Sequence, residues 1–284
     1  MSTAQAPPDE LPDDTGVFCE LGVAGQPLVI AYGGIAGRTS APMFEFFRVT
    51  DGMPVQRLML RDHERSWYHR GVRGVGDDLP AVEAYVASIL EEAKPSRVVM
   101  VGASAGGFAA MLFGHRLGAD VVHAFAPQTF VDPSLRRTRR EPRWEPETRA
   151  LLHSGRYDPR FGDLAAVLAT PPAKATTRHH VWYCTSEQPD AVHAAHVAQV
   201  PAVQLHALPA GGHVIVKWLR DTGHLTPIVR ASLEGGVVPR LPEEVDPVLL
   251  ARPSRVWLAR RRWWIIKQAV RDRRHGVQAG PRIA

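Results

Sequence analysis

Seven short apolar runs, each bounded by turn residues, mark the chain at 16–23 (GVFCELGV), 27–32 (PLVIAY), 55–60 (VQRLML), 98–102, 121–126 (VVHAFA), 179–185 (HHVWYCT) and 203–208 (VQLHAL). Runs of this length and β-branched content predict strands. Apolar residues at three- and four-residue spacing between them predict helices over 41–49, 79–93, 104–117, 190–199 and 213–233, with Asp78 as a cap and Pro80 in the first turn of the second. Strand and helix alternate, which predicts an α/β domain whose mainly parallel sheet is covered on both faces.

One interval breaks the rhythm. Residues 128–178 hold no strand pattern, are rich in Arg and Pro, and show one short helical piece near 163–169, so they read as a cap inserted over the end of the sheet. There Arg136, Arg137, Arg139, Arg140 and Arg143 interleave with Glu141, Glu145 and Glu147, the pattern of a solvated charged face. Near the C-terminus, Val256, Ala259, Trp263, Ile266 and Val270 recur at helical spacing while Arg260, Lys267, Arg271 and Arg274 share another face. That is a basic amphipathic helix, expected to pack its apolar face on the domain or a second subunit, with an anionic surface as the other destination. The domain boundaries expected are a disordered start over 1–15, a domain over 16–250 and a basic helix and tail over 251–284.

The run VVMV at 98–101 leads into Gly102-Ala103-Ser104-Ala105-Gly106 and then into an alanine-rich helical segment. A serine on a sharp strand-to-helix turn, with glycines two residues either side, is the arrangement that pushes a nucleophilic hydroxyl past the sheet edge. The alternative is that Ser104 only caps the helix. Acyl chemistry also needs backbone N–H groups facing the developing oxyanion. Ala105 supplies one, and the Tyr32-Gly33-Gly34-Ile35-Ala36-Gly37 loop after the second strand supplies the other, with Gly34 the choice and Gly33 or Ile35 one residue away. A serine needs a histidine as base, and the histidine a carboxylate to orient it. Of thirteen histidines, His213 stands on the loop after the last strand, whereas His206 lies inside that strand and His224 midway through the helical segment beyond. The loop after the preceding strand offers Asp190, with Glu187 as its substitute. Trp67, Tyr68 and His69, after the third strand, are candidate pocket residues beside Gly33 and Ile35.

The order Ser104, Asp190, His213, each after a successive strand on one sheet edge, resembles the α/β-hydrolase superfamily over roughly residues 16–234. The resemblance implies that fold, a Ser-His-Asp triad, and ester, thioester or amide chemistry. Many esterases of the superfamily carry His-Gly-Gly in the oxyanion loop where this chain has Tyr32-Gly33-Gly34, so the resemblance carries the mechanism and not one esterase family. It implies a carboxylesterase or thioesterase acting on a small or carrier-bound acyl substrate, or an acyltransferase using the same triad. A binding protein working through the basic helix is the non-catalytic alternative.

Charge and composition narrow the rest. The net charge is +5, yet residues 251–284 hold ten Lys and Arg against one acid, so the first 250 residues carry −4. The basic excess therefore belongs to the tail and does not argue for nucleic acid. Two cysteines, Cys19 and Cys184, make no disulfide framework or thiolate zinc site. Neither a metal nor a cofactor is expected. No run reaches the roughly 20 apolar residues of a membrane span, and the start lacks a signal-peptide pattern, so a cytoplasmic location is the expectation.

Overall fold

All seven apolar runs form strands: β1 (Val17–Glu20), β2 (Leu28–Tyr32), β3 (Gln56–Leu60), β4 (Val98–Ala103), β5 (Val121–Phe125), β6 (Arg178–Cys184) and β7 (Val203–Leu208). They pair in a single sheet of order β1-β3-β2-β4-β5-β6-β7, antiparallel only between β1 and β3. The molecule is known from a computed structural model describing residues 14–35 and 46–274, apart from the side chains of 264, 265 and 268–274. The expectations for residues 1–13, for Ala36 and Gly37, for the first part of the 41–49 helix and for the tail beyond 274 lie outside the described residues, as do the side chains of Val270, Arg271 and Arg274.

Alternation along the strands explains why the sheet is covered twice. In β2, Leu28, Ile30 and Tyr32 face one layer while Val29 and Ala31 face the other, and all five are buried. The first layer holds α1 (Leu79–Ala93), α2 (Ala105–Leu117) and α6 (Gln188–Val197); the second holds α7 (Ile215–Asp221) and α8 (Leu225–Leu233). Asp78 caps α1 by accepting from Ala81 N at 2.9 Å, as its sequence predicts. Two expectations change. Residues 46–50 form a turn and a 3-10 segment rather than the end of a helix. The 213–233 segment is not one helix: the chain turns at Gly223, where φ is 79°, and splits into α7 and α8.

Over the carboxyl end of β5 and β6 the 128–178 insertion folds as α3 (Pro133–Arg139), α4 (Glu145–His153) and α5 (Leu164–Leu168). The last matches the expected helical piece. The first two are short and rich in Arg and Pro, and hide their helical spacing. Beyond α8, residues 241–250 run along the free margin of β7: Val245 N donates to Ala207 O at 2.9 Å, and Tyr183 Oη donates to Val248 O at 3.0 Å. α9 (Arg255–Arg274) follows.

The interior contains several histidines that burial keeps neutral. His179 is pushed down to about 3 by burial and by His115 and His180 beside it; burial likewise lowers His69, His180 and His193 to about 4. In the unfolded chain these imidazoles take up protons below pH ~6.5, while in the folded protein they do not until about 3–4. Their stabilising effect is therefore present above pH ~6.5 and is lost as pH falls toward 4. Urea unfolding at pH values of about 7.5, 6 and 5 should show the midpoint dropping across this window, the four imidazoles together outweighing Asp62, whose carboxyl burial pushes up to about 6 and which acts in the opposite direction. A midpoint constant over that range would contradict the account.

Candidate active site

Parallel strands in register end together, and the site is assembled at that shared edge. Tyr32 of β2 pairs with Gly102 of β4, and Ala103 of β4 with Phe125 of β5, so the loops leaving all three strands start side by side. Ser104 sits between β4 and α2 with φ 55° and ψ −114°, backbone strain of about 1–3 kcal/mol for a non-glycine residue. Neighbouring chain imposes it. Ser104 N donates to Phe125 O at 2.9 Å, while Ser104 O accepts from Phe108 N at 3.1 Å and Gln128 N at 3.2 Å. Both flanking glycines are demanded by space. A Cβ on Gly102 would lie 2.1 Å from Gly106 O, and one on Gly106 would lie 2.0 Å from Tyr32 O. The turn is thus pressed against the start of the Gly33–Ile35 loop.

His213 stands in a 3-10 segment after β7, and Asp190 in the first turn of α6. His213 Nε2 lies 3.0 Å from Ser104 Oγ, and His213 Nδ1 lies 2.9 and 3.2 Å from the two carboxylate oxygens of Asp190. Of the two carboxylates considered in the sequence, Asp190 is the one that touches the imidazole. Glu187 instead begins α6 and lies 3.9 Å from Arg261. The His213 side chain is 22% exposed while that of Asp190 is fully buried, so the site opens to solvent on the serine side and is sealed behind the acid.

The N–H groups around Ser104 Oγ sort themselves. Ala105 is the first residue of α2, so its N–H has no acceptor inside the helix. Gly33 is removed as an oxyanion donor because its N–H is spent on Leu60 O at 2.9 Å, extending the sheet. Gly34 and Ile35 keep the role open to them, with Ile35 buried at 2%. The expected pocket residues lie inside the protein. Trp67, Tyr68 and His69 are buried, and each is tied down: Trp67 Nε1 donates to Gln128 Oε1 at 2.6 Å, Tyr68 Oη donates to Gly33 O at 3.0 Å, and His69 Nδ1 accepts from Asp158 N at 3.1 Å. Asp62 accepts from Ser66 N and Tyr68 N at 2.7 and 3.1 Å and shapes the turn that places them. These residues brace the Gly33 loop, the serine turn and the cap rather than line an open pocket.

The cap contributes what the sequence did not reveal. Arg143 and Glu141, expected on a solvated face, are 1% and 6% exposed, and Arg136 is 6% exposed. Arg143 Nη1 donates to Asp190 Oδ1 at 2.6 Å and lies 3.0 Å from His213 Nδ1, while Nε and Nη2 each donate to Glu141 at 2.9 Å. Glu141 also lies 2.8 Å from His193 Nε2; Thr129 N donates to His193 Nδ1 at 3.0 Å, which leaves Nε2 to carry the proton toward Glu141. Arg136 Nη2 donates to Arg143 O and steadies the strand of cap that carries it. Burial alone would push the Asp190 carboxyl up, but His213 and Arg143 hold it below its ordinary value. Glu141 is held well below its own value against burial by Arg143 and His193. The only signal in the sequence was the close spacing of Glu141 and Arg143, which charged surfaces also show. No group of His, Cys, Asp and Glu able to hold a metal occurs among the described residues.

No protein-family model and no curated protein sequence matches the chain. Solved structures do. The capsule O-acetyltransferase of Neisseria meningitidis serogroup A superposes with a TM-score of 0.57 at 12% identity, covering 77% of this chain and 90% of that one. Est1E from Butyrivibrio proteoclasticus superposes at 0.50 and 12% identity, covering 78% of this chain and 100% of that one. The chain has the α/β-hydrolase fold. The mainly parallel sheet flanked by helices is the one the sequence predicts, and the serine, aspartate and histidine fall on the loops leaving β4, β6 and β7 at one sheet edge, the loop after β5 carrying the cap.

Two substitutions test the construction of this site. Arg143→Gln removes the cation shared by two buried carboxylates and should cost about 3–5 kcal/mol of stability, read as a fall in the urea midpoint. Gly106→Ala forces a methyl into the Tyr32 carbonyl and should cost on the order of 3 kcal/mol, with a matching drop in melting temperature. A wild-type melting curve for either would show that these contacts do not exist in solution.

Proposed function

We propose that this protein is a serine hydrolase that cleaves an ester or thioester through an acyl-enzyme intermediate. The observation that carries this reading is the chain of contacts Ser104 Oγ to His213 Nε2 at 3.0 Å and His213 Nδ1 to Asp190 at 2.9 Å, on a serine held at a strained turn. With its proton on Nδ1, directed at Asp190, the imidazole presents a lone pair at Nε2 to the serine hydroxyl. Ser104 Oγ attacks the acyl carbon as its proton passes to His213 Nε2. The carbonyl oxygen becomes an oxyanion facing Ala105 N–H and Gly34 N–H, with the N-terminal end of α2 adding a favourable partial charge. Collapse expels the alkoxide or thiolate, which takes the proton from His213. Water, activated by the same imidazole, then releases the acid and restores the serine.

Arg143 fits the scheme as a positioning residue. It shares the Asp190 carboxylate with His213 and so holds that carboxylate in one orientation. Because Arg143 is itself divided between Asp190 and Glu141, the buried cluster of two carboxylates and one guanidinium keeps a net negative charge beside His213.

Acyl transfer to an alcohol uses the same groups and differs only in what attacks the acyl-enzyme. The similarity in fold to a capsule O-acetyltransferase makes an added acceptor worth including in the assay. A fluorophosphonate probe should label the wild-type protein on Ser104, and Ser104→Ala should lose both labelling and turnover of short-chain acyl esters and thioesters, by about three orders of magnitude or more. Labelling that persists in Ser104→Ala would overturn the reading. Product appearing on an added alcohol in preference to free acid would identify the transferase form.

A further inference from the structure

α9 is held to the domain by one side only. Ser254 N donates to Gln188 Oε1 at 2.8 Å, Arg261 Nη1 lies 3.9 Å from Glu187, and Trp257 and Leu258 are half-buried, Leu258 closing a cleft of about 530 Å³ against Arg136 and Arg149 of the cap. The sequence pattern predicts that the Val256, Ala259, Trp263 and Ile266 stripe is covered. The described residues of the domain do not cover it: Val256 is 62% exposed, Trp263 58% and Ile266 54%, with Ala259 exposed between them. At 3.6 residues per turn these four side chains fall within an arc of about 80°. Exposed Arg255 and Arg262 border one margin of that arc, and exposed Arg260 and Lys267 the other. Lys267 Nζ lies 3.6 Å from the centre of the Trp263 ring, a cation resting on the edge of the apolar stripe. Residues 251–284 contain one acid, Asp272, against ten bases.

This arrangement states what its partner must offer: apolar matter in front of the stripe and negative charge on both sides, in one plane. A second copy of the same face offers the opposite, since two stripes in contact would bring eight cations together. A bilayer with anionic headgroups offers acyl chains below and phosphates along both margins. Among the described residues no helix is long and apolar enough to cross a membrane, so contact would be along the surface. We propose that α9 is an interfacial helix that lays this protein on an anionic lipid surface, inserting Val256, Trp263 and Ile266 between headgroups contacted by Arg255, Arg260, Arg262 and Lys267. The helix would dock with its inner side still on Glu187, at the start of the helix that carries Asp190. The serine site would then stand beside the lipid surface.

The test uses the full-length protein sedimented with vesicles of phosphatidylcholine alone and of phosphatidylcholine mixed with phosphatidylglycerol. Binding should favour the anionic vesicles about tenfold or more and weaken as salt is raised. The combined variant Arg255→Gln, Arg260→Gln, Arg262→Gln, Lys267→Gln should lose about a hundredfold in vesicle affinity, and Trp263→Ala with Ile266→Ala about tenfold. Both variants should keep the wild-type melting curve and the wild-type turnover of a water-soluble ester. Sedimentation is read without turnover, so an inactive Ser104 leaves this test unaffected. Absence of binding to anionic vesicles, binding indifferent to both variants, or equal binding to the two vesicle types would overturn the proposal. So would a dimer by light scattering that Trp263→Ala with Ile266→Ala dissolves.

Discussion

The structure turns on one ion pair, Arg143 to Asp190, made across the boundary between the inserted cap and the sheet. A carboxylate sealed from water costs several kcal/mol unless its charge is met, and Asp190 is sealed completely. His213 meets it with one contact and Arg143 with another, while Glu141 balances the arginine in turn. The cap is therefore no loose lid over a finished site. Moving it would strip a cation from the acid that orients the imidazole, and would break the contact between Glu141 and His193. Cap position and imidazole position are two readings of one electrostatic arrangement.

A second constraint acts on the opposite side of the serine, and it is steric. Gly102 and Gly106 let α2 start directly against the backbone of β4 and of Tyr32. The packing that forces Ser104 into its positive φ also brings Ala105 N–H and the Gly33–Ile35 loop to the same small space. Tyr68 closes that loop from behind by donating to the Gly33 and Leu60 carbonyls, and Asp62 sets the turn from which Tyr68 reaches. Charge from one side and crowding from the other thus converge on a single hydroxyl.

Much of this was visible in the sequence, for identifiable reasons. The central strands β2, β4 and β5 read as near-continuous apolar runs and the edge strands β1 and β7 as shorter apolar stretches between turn residues, so all seven strands were legible, and the serine, aspartate and histidine could be placed because each followed such a run. Arg143 was not legible, because an Arg beside a Glu has the same spelling whether it is solvated or buried. The outward stripe of α9 escaped for a related reason: periodicity tells which residues share a face and says nothing about which face the domain covers. Trp67, Tyr68 and His69 were placed on the right loop, yet an aromatic cluster that braces a turn reads like one that lines a pocket. The break at Gly223 lay inside a pattern that looked continuous because α7 and α8 both pack on the second layer.

The stretch laid along β7 gives the C-terminal part of the chain a second duty. An uncovered outer strand is an invitation to pairing with another molecule, and here residues 241–250 occupy that position, with Val245 bonded to Ala207 and the Val248 carbonyl taken by Tyr183. Proteolysis after residue 250 would leave this hem in place, whereas loss of residues 241–250 would free the Ala207 carbonyl and the Tyr183 hydroxyl and bare the outer edge of β7.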